Sequence, residues 1–148
     1  MDTQEKARSH RLRLGRSSES DRFYLLTTVT QKREPIFADT RAARTLIHIL
    51  SRQQEMGKVV SHAFVVMPDH LHWLVQLQND QLNLLMGRVK SISARQIGAL
   101  RWQAGFHDHA LRREEDIKKI ARYIIANPLR AGLVDSVGDY PHWDAIWL

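Results

Sequence analysis

The sequence predicts an α+β fold in which one antiparallel sheet is backed by helices, and three observations carry that reading. Segments of strand-like and helix-like periodicity follow one another in the order β α β β α β α. Two apolar runs, 59–66 and 70–77, are separated only by Met67-Pro68-Asp69, which marks a hairpin and therefore antiparallel pairing. The helical segments carry apolar stripes wide enough to cover one face of a sheet. Together these features point to a ferredoxin-like two-layer sandwich with a central antiparallel sheet.

Each element has its own grounds. Residues 1–20 are polar, with Arg8, Arg11, Arg13 and Arg16 ahead of the SSES stretch, and show no helix or strand period. They read as a flexible basic arm whose arginines are candidate DNA contacts; a terminus with no partner is the alternative. A single domain is expected over 21–148. The run RFYLLTTVT, 22–30, is aromatic and β-branched and reads as the first strand. Asp39 is placed to cap a helix over 40–57, where Ala42, Leu46, Ile49 and Leu50 follow helical spacing and Gly57 supplies the stop. After the hairpin, 82–102 has Leu82, Leu85, Met86, Val89, Ile92 and Ile97 at mostly helical spacing, so a second helix is expected there. Residues 104–111, AGFHDHAL, are short and suit a fourth strand. The segment 113–127 has acids in its first turn and an apolar stripe of Ile117, Ile120, Ala121, Ile124 and Ile125, which predicts a third helix. In the tail DYPHWDAIWL, Trp143 and Trp147 are expected to pack over an edge of the core.

Bulk properties narrow the function. The chain has 148 residues, one ordinary domain, and its 22 Lys and Arg against 16 Asp and Glu leave a net charge of +6. That excess favours a polyanionic partner such as nucleic acid. The absence of cysteine excludes disulfides, thiolate zinc sites and thiol catalysis. No apolar run approaches the roughly 20 residues that span a bilayer, and residues 1–16 lack the apolar core of a signal peptide. The expected setting is cytoplasmic, with no membrane partner.

The chemistry concentrates on two segments. Side chains alternate along a strand, so His70, His72 and Leu74 share one face of 70–77, while Leu71, Trp73, Val75 and Leu77 share the other. Same-face neighbours lie about 7 Å apart, close enough for two imidazoles to converge on one divalent ion. Such a pair needs a third ligand and an open position for catalysis. On the 113–127 helix, Lys119, Tyr123 and Asn127 are spaced one turn apart along a flank of the apolar stripe. Each has a plainer reading: Tyr123 as a packing residue with its hydroxyl in water, and Asn127, before Pro128, as a cap for the PLRAG turn. The triplet His107-Asp108-His109 also looks like a ligand cluster, but a structural or DNA-contact role is the reading preferred for it, with direct metal binding as the alternative.

Four blocks, FVVMPDHLHWLV, WQAGFHDHALR, ARYIIANPLRAGLV and DYPHWDAIWL, occur in the order seen in the REP-associated tyrosine transposases, which the chain resembles from about residue 20 onward. These are a branch of the single-tyrosine HUH transposases, named for a histidine, hydrophobic, histidine triplet. The resemblance implies an HUH endonuclease-type fold, with His70 and His72 as metal ligands, Tyr123 as nucleophile and Asn127 as third ligand. Many relatives outside this branch have glutamine at the last position, a methylene longer. It further implies a metal-dependent single-stranded DNA endonuclease and strand transferase, acting at hairpin DNA through a 5′-phosphotyrosine, cytoplasmic and nucleoid-associated. Mg2+ or Mn2+ suits mixed nitrogen and oxygen ligands working on phosphate, and zinc shares the ligand types. On spacing alone, Lys119 is a candidate to assist Tyr123 by favouring the phenolate, and the place of His107 and His109 in the second block makes them candidate DNA contacts. A monomer is the expected unit. The competing reading is a non-catalytic nucleic-acid-binding module on a ferredoxin-like sheet.

Overall fold

Strand β1, Phe23–Val29, is an inner strand of a five-stranded sheet. The computed structural model describes residues 22–112 and 114–146, so the expected basic arm, with Arg8, Arg11, Arg13 and Arg16, lies outside the described residues, as does Trp147. Two single 3-10 turns, Gln31–Arg33 and Ile36–Ala38, lead from β1 to helix α1, Thr40–Glu55. The Asp39 carboxylate accepts the Arg41 N–H at 2.9 Å and caps α1 as its sequence position predicts. At the other end Gly57 takes φ +73°, a left-handed value that a glycine adopts without a Cβ penalty.

The hairpin follows as β2, Val59–Met67, and β3, His70–Leu77. Helix α2, Leu82–Gln96, and strand β4, His107–Leu111, complete the pattern. The sheet order is β4-β1-β3-β2-β5, with antiparallel pairing throughout. The first four strands thus reproduce the expected α+β, ferredoxin-like arrangement.

The two faces of the sheet are covered differently. Leu71, Trp73, Val75 and Leu77 of β3 join Tyr24 and Leu26 of β1 in one core with Leu46 and Leu50 of α1 and Leu85, Met86 and Val89 of α2. Trp73 is fully buried there, and its indole N–H donates to Ser61 Oγ at 2.9 Å, so the one polar atom of the ring is satisfied. On the opposite face a smaller core joins Leu74, Val65 and Leu111 to helix α3, Glu114–Ile125, through Ile117, Ala121, Ile124 and Ile125. Helix α3 therefore lies on the face that carries the histidines, outside the two-layer unit formed by β1 to β4 with α1 and α2.

The structure departs from the sequence expectation at several places. Helix α2 stops at Gln96 and not at 102, because Ile97 turns out of the helix, with φ −108° and ψ 91°, just before Gly98. Ile97 nonetheless stays buried, which is why its spacing mimicked a continuing stripe. Strand β4 begins at His107 and not at 104. Helix α3 ends at Ile125, and the chain resumes as the single turn α4, Asn127–Arg130. Pro128 is the cause: it has no N–H for an i−4 bond, and its ring crowds the preceding turn. Lastly, the tail does more than lie over an edge. Residues Trp143–Ala145 form β5 against β2, and Trp143 packs partly buried with its indole N–H donating to the Val137 carbonyl at 3.0 Å. Among the described residues no helix is long and apolar enough to cross a membrane.

Candidate active site

Alternation along β3 puts both imidazoles on the α3 side of the sheet. His70 and His72 lie with ring centroids 4.8 Å apart and planes at 80°. Each is held at Nδ1. His70 Nδ1 is 2.7 Å from Asp69 Oδ1, and His72 Nδ1 shares a 2.8 Å hydrogen bond with Thr27 Oγ1, a residue directly opposite it on β1. Burial works to raise the Asp69 carboxyl, but bonding and charge from His70 and then Arg33 hold it below the ordinary carboxylate range. Arg33 Nη1 reaches Asp69 Oδ2 at 3.1 Å, so this carboxylate is itself fixed. With Nδ1 occupied on both rings, Nε2 is the nitrogen left to ligate, and the oriented outer partner is the usual device for that purpose. Burial, followed by the positive charges of His70 and Arg130, lowers the His72 pKa to about 4. The ring is therefore neutral near neutral pH, the form a metal binds.

Helix α3 turns Ile117, Ala121 and Ile124 into the core beside Leu74 and leaves Tyr123 and Lys119 on its outer flank. Among the three tyrosines the contrast is large. Tyr123 is 59% exposed, whereas Tyr24 and Tyr140 are buried. The Tyr140 hydroxyl donates to the Val66 carbonyl at 2.6 Å, and burial pushes its pKa up to about 12, so that phenol is structural. Asn127 opens α4 without capping it: the residue at the cap position is Ala126, and no side-chain cap bond forms. Its Oδ1 instead accepts from Arg130 Nη2 at 2.7 Å. The same guanidinium lies over the Tyr123 ring, 3.9 Å from its centroid. Arg130 thus links Tyr123, Asn127 and, by its charge, His72.

The remaining candidates fall around this centre. His107 and His109 are exposed on β4, an edge strand, and their register opposite Thr27 and Leu25 turns them to the His72 face. Asp108 sits opposite Leu26 and faces the other way, so the HDH triplet is divided between the two sides. Among the described residues no three His, Cys, Asp or Glu side chains gather as a metal cluster. An ion bound at His70 and His72 would need a ligand of another kind, and the Asn127 amide is of that kind. Two Nε2 atoms turned free by their outer partners, together with an amide oxygen, suit a hard or borderline divalent ion. A concavity of about 570 Å3 lined by Thr40, Arg41, Arg44, Thr45, His48 and Gln96 lies along α1, on the opposite side of the sheet.

Thr27, Asp69, Arg33 and Arg130 belong to the site but have no prominence in the sequence. Asp69 adjoins His70 and reads only as a turn residue, while Thr27 becomes a partner through pairing across 45 positions.

Comparison with known proteins agrees with this architecture. The chain is 31% identical over 83 residues to the REP-associated tyrosine transposase of Escherichia coli (strain K12), a match covering 54% of this chain and 50% of that protein. The chain thus spans about half the length of the curated relatives it matches. A solved structure, that of a REP-associated tyrosine transposase bound to a REP hairpin, superposes with a TM-score of 0.72 at 23% identity, over 85% of this chain and 78% of the other. That likeness establishes the fold. The family model for IS200-like transposases matches residues 19–127, through both histidines, the tyrosine helix and Asn127. On this match and the shared fold, the chain belongs to the IS200-like transposase family.

Proposed function

We propose that the protein cuts and rejoins single-stranded DNA beside hairpins, with Tyr123 as nucleophile and a divalent ion, Mg2+ or Mn2+, held by His70, His72 and Asn127. The observation that carries this reading is the placement of the one exposed tyrosine on the helix packed over the face that bears the two oriented histidines. When bound, the ion supplies positive charge to a non-bridging phosphate oxygen. Asp69 and Thr27 fix the two imidazoles by their Nδ1 atoms. Tyr123 Oη forms a bond to phosphorus as the bond from phosphorus to the 3′ oxygen breaks, and the phenolic proton passes by way of solvent to the departing 3′ hydroxyl. The product is a 5′-phosphotyrosine that a 3′ hydroxyl can attack in reverse, so strands are transferred without hydrolysis. Lys119, one turn before Tyr123, adds positive charge near the phenol. Exposed His107 and His109 on β4, with the arginines of the arm, extend the surface for DNA.

The hairpin comes from the similar solved structure, which is bound to a REP hairpin. A monomer is the proposed working unit, acting beside DNA in the cytoplasm. The test is to incubate the protein with Mn2+ and a labelled hairpin oligonucleotide bearing single-stranded flanks, then resolve it on a denaturing gel. A covalent adduct with the native chain that Tyr123→Phe lowers by at least about a thousandfold is the expected result. Equal cutting by the two proteins contradicts the tyrosine mechanism, and binding by both without cutting favours a binding module.

A further inference from the structure

We propose that Arg130 is a positioning residue that clamps Tyr123 and Asn127 together in the DNA-free protein and releases Asn127 when the site fills. The inference rests on the reading of His70, His72 and Asn127 as a metal site.

Three features of the geometry support it. The Arg130 guanidinium touches two of the proposed site residues at once, stacked 3.9 Å from the Tyr123 centroid and donating to Asn127 Oδ1 at 2.7 Å. Among the described residues no carboxylate forms an ion pair with it. Its position is also set by short-range structure: the Ala131 N–H bonds the Asn127 carbonyl at 2.9 Å, and Gly132, with φ +75°, ends the turn, so Arg130 stands one helical turn beyond Asn127. An arginine without a carboxylate, fitted to an aromatic face and a neutral amide, holds its charge where an arriving cation is disfavoured.

The consequence follows from charge. A divalent ion on the Asn127 oxygen would sit a few ångströms from the guanidinium, and like charges that close oppose each other even in water. Metal ligation by Asn127 and its bond to Arg130 therefore compete. Once displaced, the guanidinium is a planar two-pronged donor suited to a phosphate of the incoming strand. In the DNA-free protein Arg130 thus weakens metal binding, and the phosphate gives it a new partner as Asn127 is freed.

The test is Mn2+ binding to the DNA-free protein, followed by electron paramagnetic resonance, for the native chain, Arg130→Met, Arg130→Lys and His72→Ala. Arg130 is exposed, and retained melting curves serve to show that its variants fold. The expected result is Mn2+ binding about tenfold tighter in Arg130→Met than in the native chain, with Arg130→Lys between them and His72→Ala nearly unable to bind. In a parallel NMR titration with Mg2+, the Arg130 side-chain N–H signal, displaced by the Tyr123 ring current, should shift as the ion binds. Unchanged or weaker binding by Arg130→Met, with native binding still abolished by His72→Ala, overturns the clamp and leaves the metal site standing. Native binding indifferent to His72→Ala overturns both.

Discussion

The two faces of the sheet share the same strands but have opposite chemistry. Facing α1 and α2, β3 presents Leu71, Trp73, Val75 and Leu77, all fully buried. Facing α3, the same strand presents His70 and His72 in the polar company of Asp69 and Thr27, with only Leu74 given to the core. A period of two lets one strand serve both purposes: its face under α1 and α2 is wholly apolar, while the face under α3 combines a smaller core with two half-buried imidazoles. Rigidity on one side is what allows two imidazoles to be held 4.8 Å apart on the other.

The comparison can be broken from either side. Trp73→Ala should have the largest effect on stability, a loss of about 3–5 kcal/mol measured by urea unfolding, because a filled and hydrogen-bonded site becomes a cavity. His72→Ala on the adjacent position should cost far less stability while removing divalent-ion binding. A reversal of that order would mean that the histidine face is structural. Thr27→Val keeps the shape and removes the hydroxyl that orients His72; the expected outcome is Mn2+ affinity reduced about 10–100-fold with little change in melting temperature.

A smaller and more graded test uses pH. Three histidines have lowered pKa values, each from burial first: His72 to about 4, with His62 and His142 shifted the same way. Hydrogen bonding to Gln76 partly offsets the effect at His62, and the charge of Arg44 adds to it at His142. The unfolded chain therefore binds protons in a range where the folded chain does not. Stability is complete above the ordinary histidine value of about 6.5 and falls as pH drops through the window toward 4. Urea midpoints of metal-free protein at pH 7 and pH 5 should show that decline. Equal midpoints would mean that these rings titrate alike in the folded and unfolded states.

Much of this division is legible in the sequence. The alternation in HLHWLVQL assigned each face of β3 correctly, and Asp39 and Gly57 marked the limits of α1 because caps and stops are local chemistry. What escaped the sequence depends on contacts between distant segments. Thr27 acquires its role only through the register of β1 with β3, and Arg130 only because the chain bends at Pro128 and brings its guanidinium back over Tyr123. The overlong second helix arose from Ile97, which stays buried after the backbone has left the helix. The fifth strand was hidden for a related reason, since three residues carry little periodicity and pair only because β2 presents an edge.

The central claim is that Tyr123, the exposed tyrosine above the histidine face, forms the covalent bond to DNA. Its most direct test is proteolysis of the protein after reaction with a flanked hairpin oligonucleotide and Mn2+, followed by mass spectrometry of the nucleotide-bearing peptide. The expected product is a 5′-phosphonucleotide on Tyr123 alone; a modified Tyr24 or Tyr140, or cleavage with no modified tyrosine, would contradict the role of Tyr123.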